Sequence, residues 1–154
     1  MSMMNTFCQK TSLWDNDKIG ASDLTVGAYG CAGTAVCDLT TAWPDITPIT
    51  PKELFAHKDW FTPDGLILWG KLNIPHLKFD GRMHSFCPSA VMAAVKDPNR
   101  AVLAQVFFSH WTHWAVVVGR SILGTYRIAD PLTGTYRNLP KDWTPTGAAF
   151  FRHE

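Results

Sequence analysis

The chain has 154 residues, 46% of them apolar and 18% charged, with a formal net charge of +1. That length fits one domain spanning residues 1–154, and so apolar a composition excludes a disordered or fibrous chain. Acids and bases are interspersed, so neither nucleic acid nor an anionic membrane surface has a basic run to grip, and no segment nears the roughly 20 apolar residues that cross a bilayer.

In chain order, the start Met1-Ser2-Met3-Met4-Asn5-Thr6 lacks the basic and apolar regions of a signal peptide, which predicts an unprocessed cytoplasmic protein. From Met4 to Thr25 the chain is polar and punctuated by Asn, Asp, Gly and Ser, as expected of an extended segment lying over the fold. Val26-Gly27-Ala28-Tyr29-Gly30 leads to Cys31, and Ala35, Leu39 and Ala42 then fall near helical spacing until Pro44 stops the run. Cys31 would thus open a helix. Thr50-Pro51-Lys52-Glu53 is a helix start, with Thr as N-cap and Pro in the first turn, and the helix should end near Lys58. Asp64-Gly65 reads as a turn and Leu66 to Leu72 as another short apolar helix.

Pro88 opens and Asp97-Pro98-Asn99 closes a helix over Ser89–Lys96. Beyond it the pattern turns to β-rich runs: Ala101–Phe108, His113–Gly119, Gly124–Ala129 and Gly147–Phe151. Helices first and strands second is the order of an α+β fold.

Cys8, Cys31, Cys37 and Cys87 are even in number, but a chain with this much core needs no disulfide staples, so reduced thiols are expected. No Cys-x-x-Cys pair points to zinc; His84, Cys87 and His110 are an alternative ligand set, and the main reading requires neither metal nor cofactor. A thiol attacks as thiolate, which a helix N-terminus favours through its dipole and its N–H groups. Cys31 has that setting, with Gly30 before it and the small Ala32 and Gly33 behind it. A base could come from His113, at the start of an apolar strand. His110 competes, although on an extended chain the two would face opposite sides. Asp130 ends the next strand, and an antiparallel pairing around Gly124 would return it beside His113, where a carboxylate fixes the tautomer and stabilises the imidazolium.

Gln9, Ile19-Gly20, Tyr29-Gly30-Cys31, Thr34-Ala35, His113-Trp114 through Gly119 and Ala129-Asp130-Pro131, in that order, resemble the peptidase C39-like group of papain-fold cysteine peptidases. The likeness runs from Gln9 to about Gly134; Ala32-Gly33, just after the nucleophile position, departs from it. It implies a papain-like fold, a helical part carrying the cysteine and an antiparallel sheet carrying the histidine. It also implies roles: Gln9 as oxyanion-hole donor, Cys31 as nucleophile, His113 as general base and Asp130 as orienting acid. Among the aromatic residues, Trp111 is expected to line a substrate groove with Trp14 behind it.

These residues suit peptide or amide cleavage on a peptide or protein substrate. The same set allows hydrolysis of peptidoglycan stem peptides, deamidation or transglutamination, and a non-catalytic binding module on a papain-like scaffold is the alternative from another class. Short proteins of this look also occur in phages.

Overall fold

The computed structural model describes residues 4–154, with four α-helices and six β-strands. Helices α1 (Val26–Tyr29), α2 (Cys31–Leu39) and α3 (Pro51–Phe55) precede strand β1 (Leu77–Met83). Helix α4 (Pro88–Lys96) follows, and then β2 (Arg100–Phe108), β3 (Trp111–Arg120), β4 (Tyr126–Asp130), β5 (Thr135–Asn138) and β6 (Thr144–His153). The strands form one open antiparallel sheet in the order β1-β6-β2-β3-β4-β5. The molecule is therefore a mixed α+β protein.

Alternation along the central strands divides the core in two. Ala101, Leu103, Trp114, Val116 and Phe151 face a large cluster built with α2, α3 and the N-terminal segment. Val102, Ala104, Val106, Val117 and Phe150 face a smaller one under α4. Burial on both faces explains why β2 and β3 read as near-continuous apolar runs. Among the described residues no helix is long and apolar enough to cross a membrane.

Local chemistry sets the helix ends. Thr50 Oγ1 accepts from the Glu53 N–H and Pro51 occupies the first turn, so α3 begins where its cap dictates, but it ends at Phe55 and only a short 3-10 turn follows at Lys58–Trp60. Helix α2 stops at Leu39, before Trp43, because the Thr40 and Thr41 hydroxyls donate to the carbonyls of Cys37 and Asp38. At Gly30, between α1 and α2, an added Cβ would lie 2.5 Å from the Val26 carbonyl oxygen, so only glycine allows the close turn that presents Cys31.

The expected helix over Leu66–Leu72 is reduced to one 3-10 turn, Trp69–Lys71. Its backbone donors go sideways instead: Leu66 N–H to Thr62 Oγ1 and Leu68 N–H to the Trp60 carbonyl, with Phe61 bridged to Ile67. The strand at Gly147–Phe151 is the middle of the longer β6, whereas β1 and β5 are additional.

The β2–β3 hairpin closes on Ser109 and His110, both left-handed at φ 49° and 71°, between the paired Phe108 and Trp111. Two-residue turns of this shape favour Asn-Gly, because non-glycine residues there are strained. Ser109→Asn with His110→Gly should therefore stabilise the chain by about 1 kcal/mol, read as a higher urea midpoint at unchanged slope. An unchanged or lower midpoint would contradict strain in this turn.

Candidate active site

Strand pairing assembles the first pair of side chains. β3 and β4 run antiparallel with Val116 opposite Ala129, so Asp130 at the end of β4 lies near the start of β3. There His113 Nε2 and Asp130 Oδ1 are 2.7 Å apart, with both side chains all but inaccessible to solvent. Asp130 Oδ1 also accepts from the Leu132 N–H at 2.9 Å, and Oδ2 from Arg137 at 3.4 Å. Since Asp130 occupies Nε2, Nδ1 is the ring nitrogen left for another partner.

Helix α2 packs against β3, and Cys31 at its start lines the same cleft as His113. Burial, the largest single influence on His113, opposes its charge. The Asp130 hydrogen bond and the hydrogen bond and charge of Cys31 outweigh it and push the imidazole up to about 9. For Asp130, burial again acts against ionisation, but the bonds from His113 and the Leu132 N–H, with the charges of His113 and Arg137, hold the carboxyl below its ordinary value.

Gln9 arrives from the N-terminal segment, which lies over the fold as expected but is strapped down in several places. The Gln9 N–H donates to the Pro131 carbonyl at 2.8 Å, the Phe7 N–H to Asp38 Oδ1 at 2.8 Å and the Thr6 hydroxyl to the Gly134 carbonyl. Gln9 is almost fully buried; its Nε2 donates one hydrogen to the Gly27 carbonyl at 3.2 Å, and Oε1 has no protein partner. Gln9 helps to line the cleft, and the second Nε2 hydrogen has no protein acceptor among the described residues.

The cleft holds about 500 Å³ and brings Gln9, Cys31, His113 and Trp111 to one surface. Trp111 is 59% exposed on its rim, and Tyr29 and Leu66 are further exposed apolar groups there. Lys10 is the one charged residue in the lining apart from His113. Such a lining suits an uncharged or apolar ligand more than a polyanion or polycation.

The structure departs from the expectation for Trp14. Its side chain is buried, packs edge-on against Phe7 at 5.9 Å and donates its indole N–H to the Cys8 carbonyl at 2.9 Å. Its polar atom is satisfied inside the core, and it does not line the cleft. The small Gly33 behind Cys31 admits Phe55: an added Cβ would come within 2.5 Å of that ring. His110 sits in the hairpin turn, away from the buried His113–Asp130 pair.

All four cysteines are free thiols. Cys37 is buried and burial pushes its thiol up, whereas the hydrogen bond with Ser89 draws the accessible Cys87 thiol down. No group of three or more His, Cys, Asp or Glu side chains placed to hold a metal occurs among the described residues, so His84, Cys87 and His110 do not assemble a site.

Two residues escaped the sequence reading. Arg137 meets Asp130 only through the β4–β5 pairing, and Trp143 lies edge-on to His113 at 5.5 Å, from the segment before β6. Neither stands in a motif that would have drawn notice. No family model, curated protein or solved structure matches the chain.

Proposed function

We propose that the chain is a cysteine peptidase or amidase with a papain-like arrangement, using Cys31 as nucleophile, His113 as base and acid, Asp130 to orient it and Gln9 as oxyanion donor. The observation that carries this reading is one imidazole bonded to a fully buried carboxylate and lining a single cleft together with the Cys31 thiol and Gln9. A bland explanation of either pair would not require the other.

In the proposed reaction Cys31 gives its proton to His113 and its sulfur attacks an amide carbonyl carbon. The C=O π pair moves to oxygen, where Gln9 Nε2–H and the Cys31 amide stabilise it. Collapse breaks the C–N bond as His113 protonates the departing amine. Water, deprotonated by His113, attacks the thioester and releases a carboxylic acid, and the thiol is restored. The substrate would be a peptide or protein, with cell-wall peptides among the candidates.

Intact-mass and peptide-mapping analysis after exposure to a peptidyl acyl electrophile tests the assignment. A Cys87→Ser background removes the accessible, acid-shifted thiol from competition. One adduct per chain is expected on Cys31 and none on Cys37, with the adduct lost in His113→Ala. Labelling of Cys8 alone, or Cys31 labelling that ignores His113, would refute the reading.

A further inference from the structure

Asp130 is fully buried, and a carboxylate has more lone pairs than one histidine can satisfy. Oδ1 serves His113 Nε2 and the Leu132 N–H, while Oδ2 has one protein partner, the Arg137 guanidinium at 3.4 Å. Arg137 reaches it from β5, where it pairs with Ile128, and its guanidinium carbon stands 5.4 Å from the centre of the Trp143 ring. Trp143 is itself fixed: it stacks on Phe108 at 4.2 Å and 8° and meets His113 edge-on. The ring thus touches both ends of the Arg137–Asp130–His113 chain.

We propose that Arg137 is a positioning residue, holding Oδ2 of Asp130 so that Oδ1 remains ionised and aimed at His113, with Trp143 as the platform that keeps the guanidinium in place. Without it, Oδ2 would be buried and unpaired, and such an oxygen either rotates toward another donor or takes up a proton. The cation opposes that protonation through space and its N–H opposes the rotation. The groups that act on Asp130 are His113 from β3, Arg137 from β5 and the Leu132 N–H; Cys31 from α2 acts through His113, and Asp38 of α2 acts on Tyr136 instead.

The consequence for acyl transfer rests on the proposed cysteine chemistry, but the positioning role has its own readout. In a ¹³C NMR titration of the full chain, Arg137→Gln should raise the Asp130 carboxyl midpoint by about one pH unit, while Arg137→Lys, which keeps the charge, should restore most of it. Acylation of Cys31 in Arg137→Gln should fall about two- to fivefold at pH 4 and less than about twofold at pH 7.5, where Asp130 is ionised with or without the cation. An unmoved midpoint in Arg137→Gln overturns the proposal. Should that variant not fold, Trp143→Leu frees the guanidinium and must raise the midpoint too; no change there overturns it equally. A midpoint that moves in a chain whose Cys31 is never acylated supports the role of Arg137 and refutes the cysteine chemistry.

Discussion

In a Cys87→Ser background, which removes the accessible competing thiol, Cys31→Ala is expected to abolish the burst of nitrophenol released from p-nitrophenyl acetate, and to lower cleavage of any amide substrate by about 10⁴–10⁶. No other group in the cleft can replace the sulfur: Cys8 donates its thiol to the Leu132 carbonyl, and Cys37 is buried in the core. Gln9→Ala should keep the burst but slow it by about 10²–10³, because it removes one oxyanion donor and leaves the nucleophile in place. Nucleophile and donor are thus separable by amplitude against rate. pH adds a second discrimination. In the proposed mechanism His113, pushed up to about 9, protonates the departing amine, so amide cleavage should decline as pH rises through that value. Nitrophenolate leaves without a proton, and ester cleavage should not fall there. A full burst from Cys31→Ala would sink the assignment outright.

The parts of this site that were legible in the sequence are those that sit at element boundaries. Gly30-Cys31 precedes an apolar helical run, His113 opens a β-branched strand and Asp130-Pro131 ends one, so propensity and breakers locate all three. The β3–β4 register then determines that Asp130 meets His113, and Gly124, left-handed at φ 87°, makes the turn that permits it. Gln9 carries no such mark. It stands in a segment without regular structure whose path is set by distant acceptors, Pro131 and Gly27, and its place in the cleft was legible only through family likeness.

What escaped the sequence depends on tertiary pairing. Strand β1 contains Lys78, Asp80, Gly81 and Arg82, and its pairing with β6 shifts register between Phe79 and Arg82, so no clean alternation survives. β5 has four residues and is held by β4 alone. Arg137 therefore looked like any surface cation. Trp14 failed in the opposite sense: it was expected behind Trp111 in a groove, but the Cys8 carbonyl lies within reach of its N–H and makes burial favourable. At Leu66–Leu72 apolar content suggested a helix, and the lateral acceptors at Trp60 and Thr62 won over i−4 bonding.

Asp38→Asn should stabilise the chain by about 2–4 kcal/mol at pH 9 and by only about 1 kcal/mol at pH 5. Asp38 lies on α2, two turns beyond Cys31, entirely buried: Oδ1 accepts from the Phe7 N–H, and Oδ2 has no protein partner. Burial pushes its carboxyl up to about 8, against which the Phe7 hydrogen bond is the weaker influence. An acid whose folded value exceeds its unfolded one costs nothing while both states are protonated, below about pH 4. Its penalty grows from there to about pH 8 and then levels off, with a ceiling of about 5 kcal/mol that relaxation of the surroundings reduces. His113 makes the wild-type curve fall on the same side: its raised value contributes stability fully present below about 6.5 and lost as pH rises through about 9. Asp130 acts at the other end, its contribution being lost as pH falls through its depressed value. The side-chain amide that replaces the carboxyl can still accept from the Phe7 N–H, so the strap that carries Gln9 should stay attached while the buried charge disappears. Urea denaturation at pH 5, 7 and 9 separates the contributions: the Asp38→Asn curve should be nearly level from pH 5 to about 6.5 and then decline less steeply than wild type up to about 9, where only the loss of the His113 proton remains. Parallel wild-type and variant curves would mean that Asp38 is ionised without penalty, and that the strap rather than the charge explains its burial.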